Sequence, residues 1–163
     1  MTAGRRRDQR FLGVVVTVLA VLAGGLVLRP SEPATAADDA LQPRFDAAVA
    51  LLQSRRFDAA VAAWREVAAA APQLPEAQVN LGFALLGAGR AAEARTAFDR
   101  ATALRPAQAN AYYGLALAHE ASGDLAVATG AMRSYLHLAK NEDPKHLARA
   151  RAALWEWEQA RPR

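Results

Sequence analysis

The chain has 163 residues, which is enough for one small domain with an N-terminal extension, and 53% of them are hydrophobic. It contains no cysteine, which excludes disulfide bonds, thiolate metal ligands and a thiol nucleophile. The formal net charge of +4 falls to +1 over residues 37–163, where 15 Lys and Arg face 14 Asp and Glu, so most of the chain has no basic excess for binding nucleic acid.

The first 28 residues have the pattern of a membrane anchor. Residues 1–10 form a short basic head, and residues 11–28 are 18 consecutive uncharged, mostly apolar residues. As a helix this run would extend about 27 Å, close to the ~30 Å hydrocarbon core of a bilayer. Basic residues before such a segment stay in the cytoplasm. We therefore predict a transmembrane signal-anchor helix in a bacterial inner membrane, with a cytoplasmic N-terminus and the remaining chain in the periplasm.

Residues 29–40 are predicted to form a linker, because they combine Pro, Ser, Thr, Ala and Asp without an apolar face. Within them, Ala34-Thr35-Ala36 fits the small-x-small pattern of a cleavage site. Cleavage after Ala36 and export of the remainder is therefore the alternative to a retained anchor. Retention is favoured because the apolar run exceeds the ~7–15 residues of a usual signal peptide and Arg29 follows it directly.

A pattern with a period of 34 residues runs through residues 41–140. Its clearest copy is Leu81-Gly82-Phe83-Ala84-Leu85-Leu86-Gly87-Ala88-Gly89, followed by Ala94, Phe98, Ala101 and Pro106. At 34-residue steps, small residues recur at two positions and large residues at a third, namely Ala48, Gly82 and Ala116; Ala60, Ala94 and Ala128; and Trp64, Phe98 and Met132. A fixed period of this kind is typical of a helix-turn-helix solenoid, in which each unit buries its apolar face against its neighbours.

The periodicity predicts three pairs of helices, at residues 43–54 and 57–70, 75–88 and 91–104, and 109–122 and 125–138. The small positions indicate where paired helices cross closely, and the large ones fill the space between successive units. Gly89 and Gly123 fall between paired helices, where glycine can take the left-handed conformation that ends a helix. Arg55 holds this place in the first unit.

A last helix is predicted over residues 144–160, because Asp143-Pro144 suits an N-cap followed by proline at the first helical position. One face of this helix is apolar and the others are charged, as in the terminal cap of a solenoid. The apolar face holds Leu147, Ala150 and Leu154. Trp155 and Trp157 point about 160° apart, so we expect only one of them to pack against the stack.

The repeated pattern resembles that of the tetratricopeptide repeat family. The shared features are an early Leu-Gly pair, the Ala and aromatic positions of the second helix, and a closing Pro. The resemblance covers residues 41–140. It implies an all-α fold with three helix-turn-helix repeats, at residues 41–74, 75–108 and 109–142, wound into a right-handed superhelix. A C-terminal capping helix over residues 143–163 would close this superhelix, and the N-terminal transmembrane helix would precede it.

The sequence offers no pattern for catalysis, a metal or a cofactor. No pair among His119, His137 and His146 has the i, i+4 spacing of a helical metal site. There is no Gly-x-Ser-x-Gly turn for a serine nucleophile, no glycine-rich phosphate loop and no Cys-x-x-Cys-His site for haem attachment. We therefore expect a protein that is not an enzyme and that binds neither a metal nor a cofactor.

The resemblance implies a concave groove lined by positions 2, 5, 9 and 12 of each first helix. In this chain those positions hold Gln42, Phe45, Val49 and Leu52; Glu76, Val79, Phe83 and Leu86; and Asn110, Tyr113, Leu117 and Glu120. The candidate partner-binding residues among them are Phe45, Val49, Val79, Phe83, Leu86, Tyr113, Leu117 and Glu120. Phe83 and Tyr113 are expected to leave a slot between two aromatic walls for an apolar side chain. The alternative is that Phe45, Phe83 and Tyr113 belong to the core.

Some members of this family grip a terminal carboxylate with Lys, Asn and Arg in the groove. Here Asn80 matches that pattern, but Phe45, Val49, Asn110 and Gly114 replace the other residues. The departure favours an apolar or amphipathic partner segment.

The combination of an anchor with repeats looks like the accessory factors of c-type cytochrome maturation, which present apocytochrome segments to a haem-attachment machine. It is also similar to small anchored subunits of larger respiratory or photosynthetic membrane complexes. In such a subunit the transmembrane helix would be the main contact, and Ala20 and Gly24 have the spacing of a helix-packing motif. We expect a membrane-anchored scaffold for protein–protein interaction, and both roles remain open at this point.

Overall fold

The computed structural model describes residues 36–140 and 142–160, so the basic head, the predicted transmembrane helix at 11–28 and the first part of the predicted linker lie outside the described residues. The described part consists of seven α-helices without a β-strand. They are α1 (Ala36–Gln53), α2 (Phe57–Ala70), α3 (Pro75–Gly87), α4 (Ala91–Leu104), α5 (Ala109–Ala121), α6 (Leu125–Leu138) and α7 (Pro144–Ala160). None of these seven helices combines the length and the apolar composition needed to cross a membrane.

Six of the seven helices begin at the predicted residue and end at the predicted residue or one before it. The exception is α1, which begins at Ala36, so the prediction of a linker is wrong for residues 36–40. Alanine is the strongest helix former, and the first residues of α1 are rich in it. This local preference favours the helix although Pro43 lies inside it and removes one backbone donor.

Each helix packs against the next one along the chain, and α3 also contacts α5, as in the superhelix of a helical solenoid. One part of the core joins α1 to α5, and the other joins α5, α6 and α7. Both sets of small repeat positions are buried in these cores, as predicted. Alanine predominates there because close-packed helices leave little room for longer side chains.

The large repeat positions fill the space between units, as predicted. Trp64, Phe98 and Met132 are all fully buried. The ring of Phe98 lies directly on the backbone of two glycines, where a Cβ atom would come within 2.6 Å of it at Gly82 and 2.2 Å at Gly114. The absence of a side chain at these two positions therefore lets α3 and α5 close around one aromatic ring.

The turn within each repeat has the same geometry, including the one without a glycine. Arg55, Gly89 and Gly123 adopt positive φ angles of 58°, 75° and 77°. The next residue's N–H then donates to a carbonyl five residues earlier, as in Arg56 to Leu51 at 3.0 Å. The equivalent bonds measure 2.8 Å and 2.9 Å in the second and third repeats. This pattern is the Schellman motif, and in the first repeat it forces an arginine into the left-handed region.

Replacing Arg55 by glycine is expected to raise the free energy of unfolding by about 0.5–1 kcal/mol, because glycine removes the strain of the left-handed conformation. Arg56→Gly is the matched control, since Arg56 has a φ of −83°. There glycine only adds freedom to the unfolded chain and should lower stability by a similar amount. Urea unfolding of both variants measures the difference, and equal effects would contradict the turn geometry.

The capping helix α7 has a side-chain N-cap and is docked on the stack by a buried tryptophan. The Asp143 carboxylate accepts a hydrogen bond from the Lys145 N–H at 2.8 Å, which confirms the predicted N-cap. Trp157 is buried, and its Nε1–H donates to Oε1 of Glu120 on α5 at 2.9 Å. Trp155 is 64% exposed, so one tryptophan packs against the stack and the other does not, as expected.

Candidate partner-binding groove

The groove positions of α1 pack largely on the core. The Phe45 ring meets Trp64 edge to face with centroids 4.8 Å apart, and Val49 packs against the same buried cluster. Both side chains keep part of their surface exposed. They contribute an apolar wall at the N-terminal end of the groove.

The groove positions of α3 and α5 differ in how much they offer a partner. Val79 is only 5% exposed and belongs to the core, so in this structure its side chain does not reach the surface. Leu86 and Leu117 are half-buried. Glu120 is exposed, but one of its carboxylate oxygens is already bound by Trp157.

Phe83 and Tyr113 lie on neighbouring first helices, as expected, but they leave no slot between them. Their ring centroids are 6.5 Å apart at an angle of 44°, which is the distance of aromatic rings in direct contact. Phe83 also meets Phe98 edge to face at 5.1 Å. The expected slot is therefore wrong, since the two rings belong to one continuous aromatic row that joins the groove to the core.

Next to this row the structure forms a cleft of about 350 Å³, which we call the C-terminal cleft. It lies between α5, α6 and α7, with Phe83 of α3 at one side. Its lining consists of Phe83, Asn110, Tyr113, Tyr135, Glu142, His146 and Arg149. Three of the predicted groove positions, at residues 83, 110 and 113, thus meet in one place.

The floor of the C-terminal cleft is aromatic. Tyr113 and Tyr135 have ring centroids 5.1 Å apart, and Tyr135 is only 4% exposed. Burial first, and then the nearby Glu142 carboxylate and Tyr113, raise the pKa of the Tyr135 phenol above its ordinary value. The phenol therefore stays neutral at physiological pH and can donate a hydrogen bond from an otherwise apolar surface.

The rim of the C-terminal cleft is polar and exposed. Asn110 projects from the first turn of α5, and His146 and Arg149 lie three residues apart on α7. Arg149 makes no ion pair within residues 36–140 and 142–160. In contrast, Arg105 near the start of α5 pairs with Glu76 and also donates to Gln108 at 2.8 Å.

Four lining residues were not among the sequence candidates, namely Tyr135, Glu142, His146 and Arg149. One signal was available for the first of them. At 34-residue steps Tyr135 aligns with Ala101 and Val67, so an aromatic ring replaces a smaller residue in the third repeat alone. Glu142, His146 and Arg149 come after the third helix pair. No groove position of the repeats aligns with them, so the repeat pattern could not identify them.

The described residues contain no cluster of three or more His, Asp or Glu side chains placed to hold a metal ion. The arrangement is suited to binding, since it offers an aromatic floor, an amide and two side chains with nitrogen donors around a small concave space.

Comparison with solved structures shows the same fold at low sequence identity. The type III secretion chaperone SycD of Yersinia enterocolitica, in complex with a peptide of the translocator YopD, is 17% identical with a TM-score of 0.69, over 74% of this chain and 94% of that one. The first TPR domain of human RPAP3 is 20% identical with a TM-score of 0.62, over 74% and 97%. The first TPR of Spaghetti (RPAP3), bound to the HSP90 peptide SRMEEVD, is 21% identical with a TM-score of 0.67, over 74% and 91%.

Comparison with curated protein sequences finds no match. A family model described as Tetratricopeptide repeat matches residues 45–101 and 80–143, which together cover more than half of the chain. The matched residues include all of α2 to α6, the helices that carry the 34-residue pattern. The chain therefore belongs to the tetratricopeptide repeat family, whose fold is a protein–protein interaction module.

Proposed function

We propose that this chain is a non-enzymatic interaction module that binds a segment of a partner protein in its concave groove. The observation that carries the proposal is the C-terminal cleft, where an aromatic floor and an exposed polar rim surround a space of about 350 Å³. Proteins with the same fold hold peptides, namely YopD in SycD and HSP90 in the RPAP3 domain. These complexes support a peptide segment as the ligand.

The groove favours an apolar or amphipathic segment over one held by its terminal carboxylate at the first repeat. Phe45 and Val49 occupy that end, and both pack against the core instead of presenting charge. Half-buried Leu86 and Leu117 continue the apolar surface along α3 and α5. A partner would bury these side chains further, and burial of apolar area supplies most of the binding free energy in such grooves.

We further propose that residues 11–28 anchor the module in the bacterial inner membrane, with residues 1–10 in the cytoplasm and the repeats in the periplasm. The 18-residue apolar run and its basic N-terminal flank support this topology. N-terminal sequencing of the mature protein is expected to show a retained N-terminus. A mature chain beginning at Ala37 would contradict the anchor and favour export after cleavage.

Two roles fit an anchored module of this kind. In the first, the protein is an assembly factor that captures its partner transiently, like the accessory factors that present apocytochrome segments during c-type cytochrome maturation. In the second, it is a permanent subunit of a larger membrane complex and contacts that complex through the helix at 11–28. The C-terminal cleft supports the first role, because it offers a partner a contact surface outside the membrane helix.

Affinity capture with the full chain, solubilised from membranes in mild detergent, separates the two roles. Leu117→Arg places a charge in the groove at a half-buried position and should abolish capture of the partner. Thr96→Arg, at an exposed position of α4, is the matched control and should capture normally. A third variant replaces residues 11–28 with an unrelated apolar helix and should also capture normally if the groove is the contact.

Loss of capture only in the helix-swap variant would contradict groove binding and support a subunit held through its membrane helix. Undiminished capture by Leu117→Arg would contradict the proposed function. Melting temperatures of all variants must stay close to that of the unchanged chain, so that lost capture reports on the surface and not on unfolding. A partner present in a fixed ratio after extended washing would favour the permanent subunit.

A further inference from the structure

The capping helix gives the C-terminal cleft two nitrogen-bearing side chains that do not belong to the repeat pattern. The family match ends at residue 143, whereas His146 and Arg149 lie beyond it on α7. Three residues apart on a helix, these two side chains share one face. The docking contact between Trp157 and Glu120 holds that helix beside α5. These two side chains at the rim thus belong to the capping helix and not to the repeats.

The size of the C-terminal cleft limits what can enter it. About 350 Å³ lies at the lower end of the ~300–1,000 Å³ range of ligand sites. A helix with its side chains is about 10–12 Å in diameter and needs a wider groove. The floor formed by Phe83, Tyr113 and Tyr135 instead suits one apolar side chain of an extended segment, laid flat against the rings. Asn110 at the rim can bond that segment's backbone amide.

The charged groups at the rim determine which residue of the partner segment can stand next to that apolar side chain. Arg149 is exposed, lines the cleft and has no carboxylate partner in the described part of the chain. An occupant that covers the floor would exclude water next to this guanidinium and strengthen its attraction for a carboxylate. Among the residues that line the cleft, Arg149 is therefore the cation available to pair with a carboxylate of the partner segment.

Glu142 adds a negative charge to the lining of the same cleft. Glu142 lies near the Tyr135 phenol, whose pKa it helps to raise, and it forms no ion pair with Arg149 within the described residues. A carboxylate of the occupant close to Glu142 would be repelled, whereas one close to Arg149 would be attracted. A polyacidic or a basic segment fits less well than a single acid beside an apolar residue.

Resting on the proposed function, we propose that the C-terminal cleft recognises an extended partner segment in which an apolar residue stands next to an aspartate or glutamate. The apolar side chain lies on the floor formed by Phe83, Tyr113 and Tyr135. The acidic side chain pairs with Arg149, and His146 donates a further hydrogen bond to it. The cleft thus sets which segment of a partner the groove accepts.

Selection of random linear peptides displayed on phage, with the full chain in detergent as bait, tests this specificity. The unchanged chain should enrich peptides with Asp or Glu beside a large apolar residue. Selection with the Arg149→Glu variant should no longer enrich these peptides. It should instead enrich peptides with Lys or Arg in place of the acidic residue. A peptide selected by the unchanged chain should bind Arg149→Glu about tenfold more weakly, and its acid-to-lysine version should recover binding to that variant. Arg151→Glu, one exposed charge further along α7, is the matched control and should keep the acidic preference.

Peptides without an acidic preference, or a preference that Arg149→Glu leaves unchanged, would overturn the inference. In either case, the selected peptides are then tested against the Leu117→Arg variant. If they fail to bind it, the groove binds partner segments without charge selection at the cleft, and the proposed function stands. If neither substitution affects peptide binding, both the inference and the proposed function fail.

Discussion

Replacing Phe98 by alanine is expected to lower the free energy of unfolding by about 3–5 kcal/mol. The side chain is fully buried between the second and third repeats, and its ring lies on Gly82 and Gly114. Neighbours without side chains cannot move in to fill the cavity, so the loss should lie at the upper end of this range. A domain of this size has only ~5–15 kcal/mol of stability, which makes partial unfolding near body temperature the expected outcome.

Thermal and urea unfolding followed by circular dichroism measures the effect. Val127→Ala is the matched control, because it also removes part of an apolar side chain but at a position that is 46% exposed. That change should alter stability by no more than about 0.5 kcal/mol. A melting temperature of Phe98→Ala within a degree or two of the unchanged protein would contradict the placement of this ring.

Gly114→Ala is expected to destabilise the protein by about 1–3 kcal/mol, although alanine is the better helix former. The added Cβ would lie 2.2 Å from the Phe98 ring and force the ring or helix α5 to shift. In the Phe98→Ala background the same substitution should be neutral or stabilising, since the methyl group then enters the cavity. The double-mutant cycle is therefore expected to show a coupling of about 2 kcal/mol or more.

Gly130→Ala provides the control for helix propensity. Gly130 is exposed within α6, and an added Cβ would have no atom within 4 Å. Alanine there should raise stability by up to about 1 kcal/mol. Similar effects of the two glycine substitutions, or additive energies in the cycle, would show that Phe98 does not rest on Gly114.

Most of the fold could be predicted because the 34-residue period records packing directly. Positions such as Ala94 and Phe98 must be small or large wherever helices cross or units meet, so their recurrence fixes both helix pairs and turns. Arg55 shares the register of Gly89 and Gly123 and adopts the same left-handed conformation, which the sequence alone did not predict for an arginine. The start of α1 could not be predicted, because the 34-residue pattern has no copy before residue 41 to set a boundary.

The candidate site was only partly accessible from the sequence. The register placed Phe83, Asn110 and Tyr113 together, since groove positions recur with the helices. It did not reveal that Phe83 and Tyr113 touch, because ring contacts depend on side-chain packing and not on helix spacing. His146 and Arg149 lie on the capping helix, whose orientation is set by contacts such as Trp157 with Glu120. Such contacts between distant residues leave no periodic signal.

Binding of a partner segment in the groove is tested most directly by photo-cross-linking of the full chain in the cells that produce it. A benzoylphenylalanine at position 110, on the exposed rim of the C-terminal cleft, is expected to form a light-dependent adduct with the partner protein. The same group at position 95, exposed on α4 outside the groove, is expected to form none. An equal or higher yield of the same adduct from position 95 than from position 110 would contradict binding in the groove.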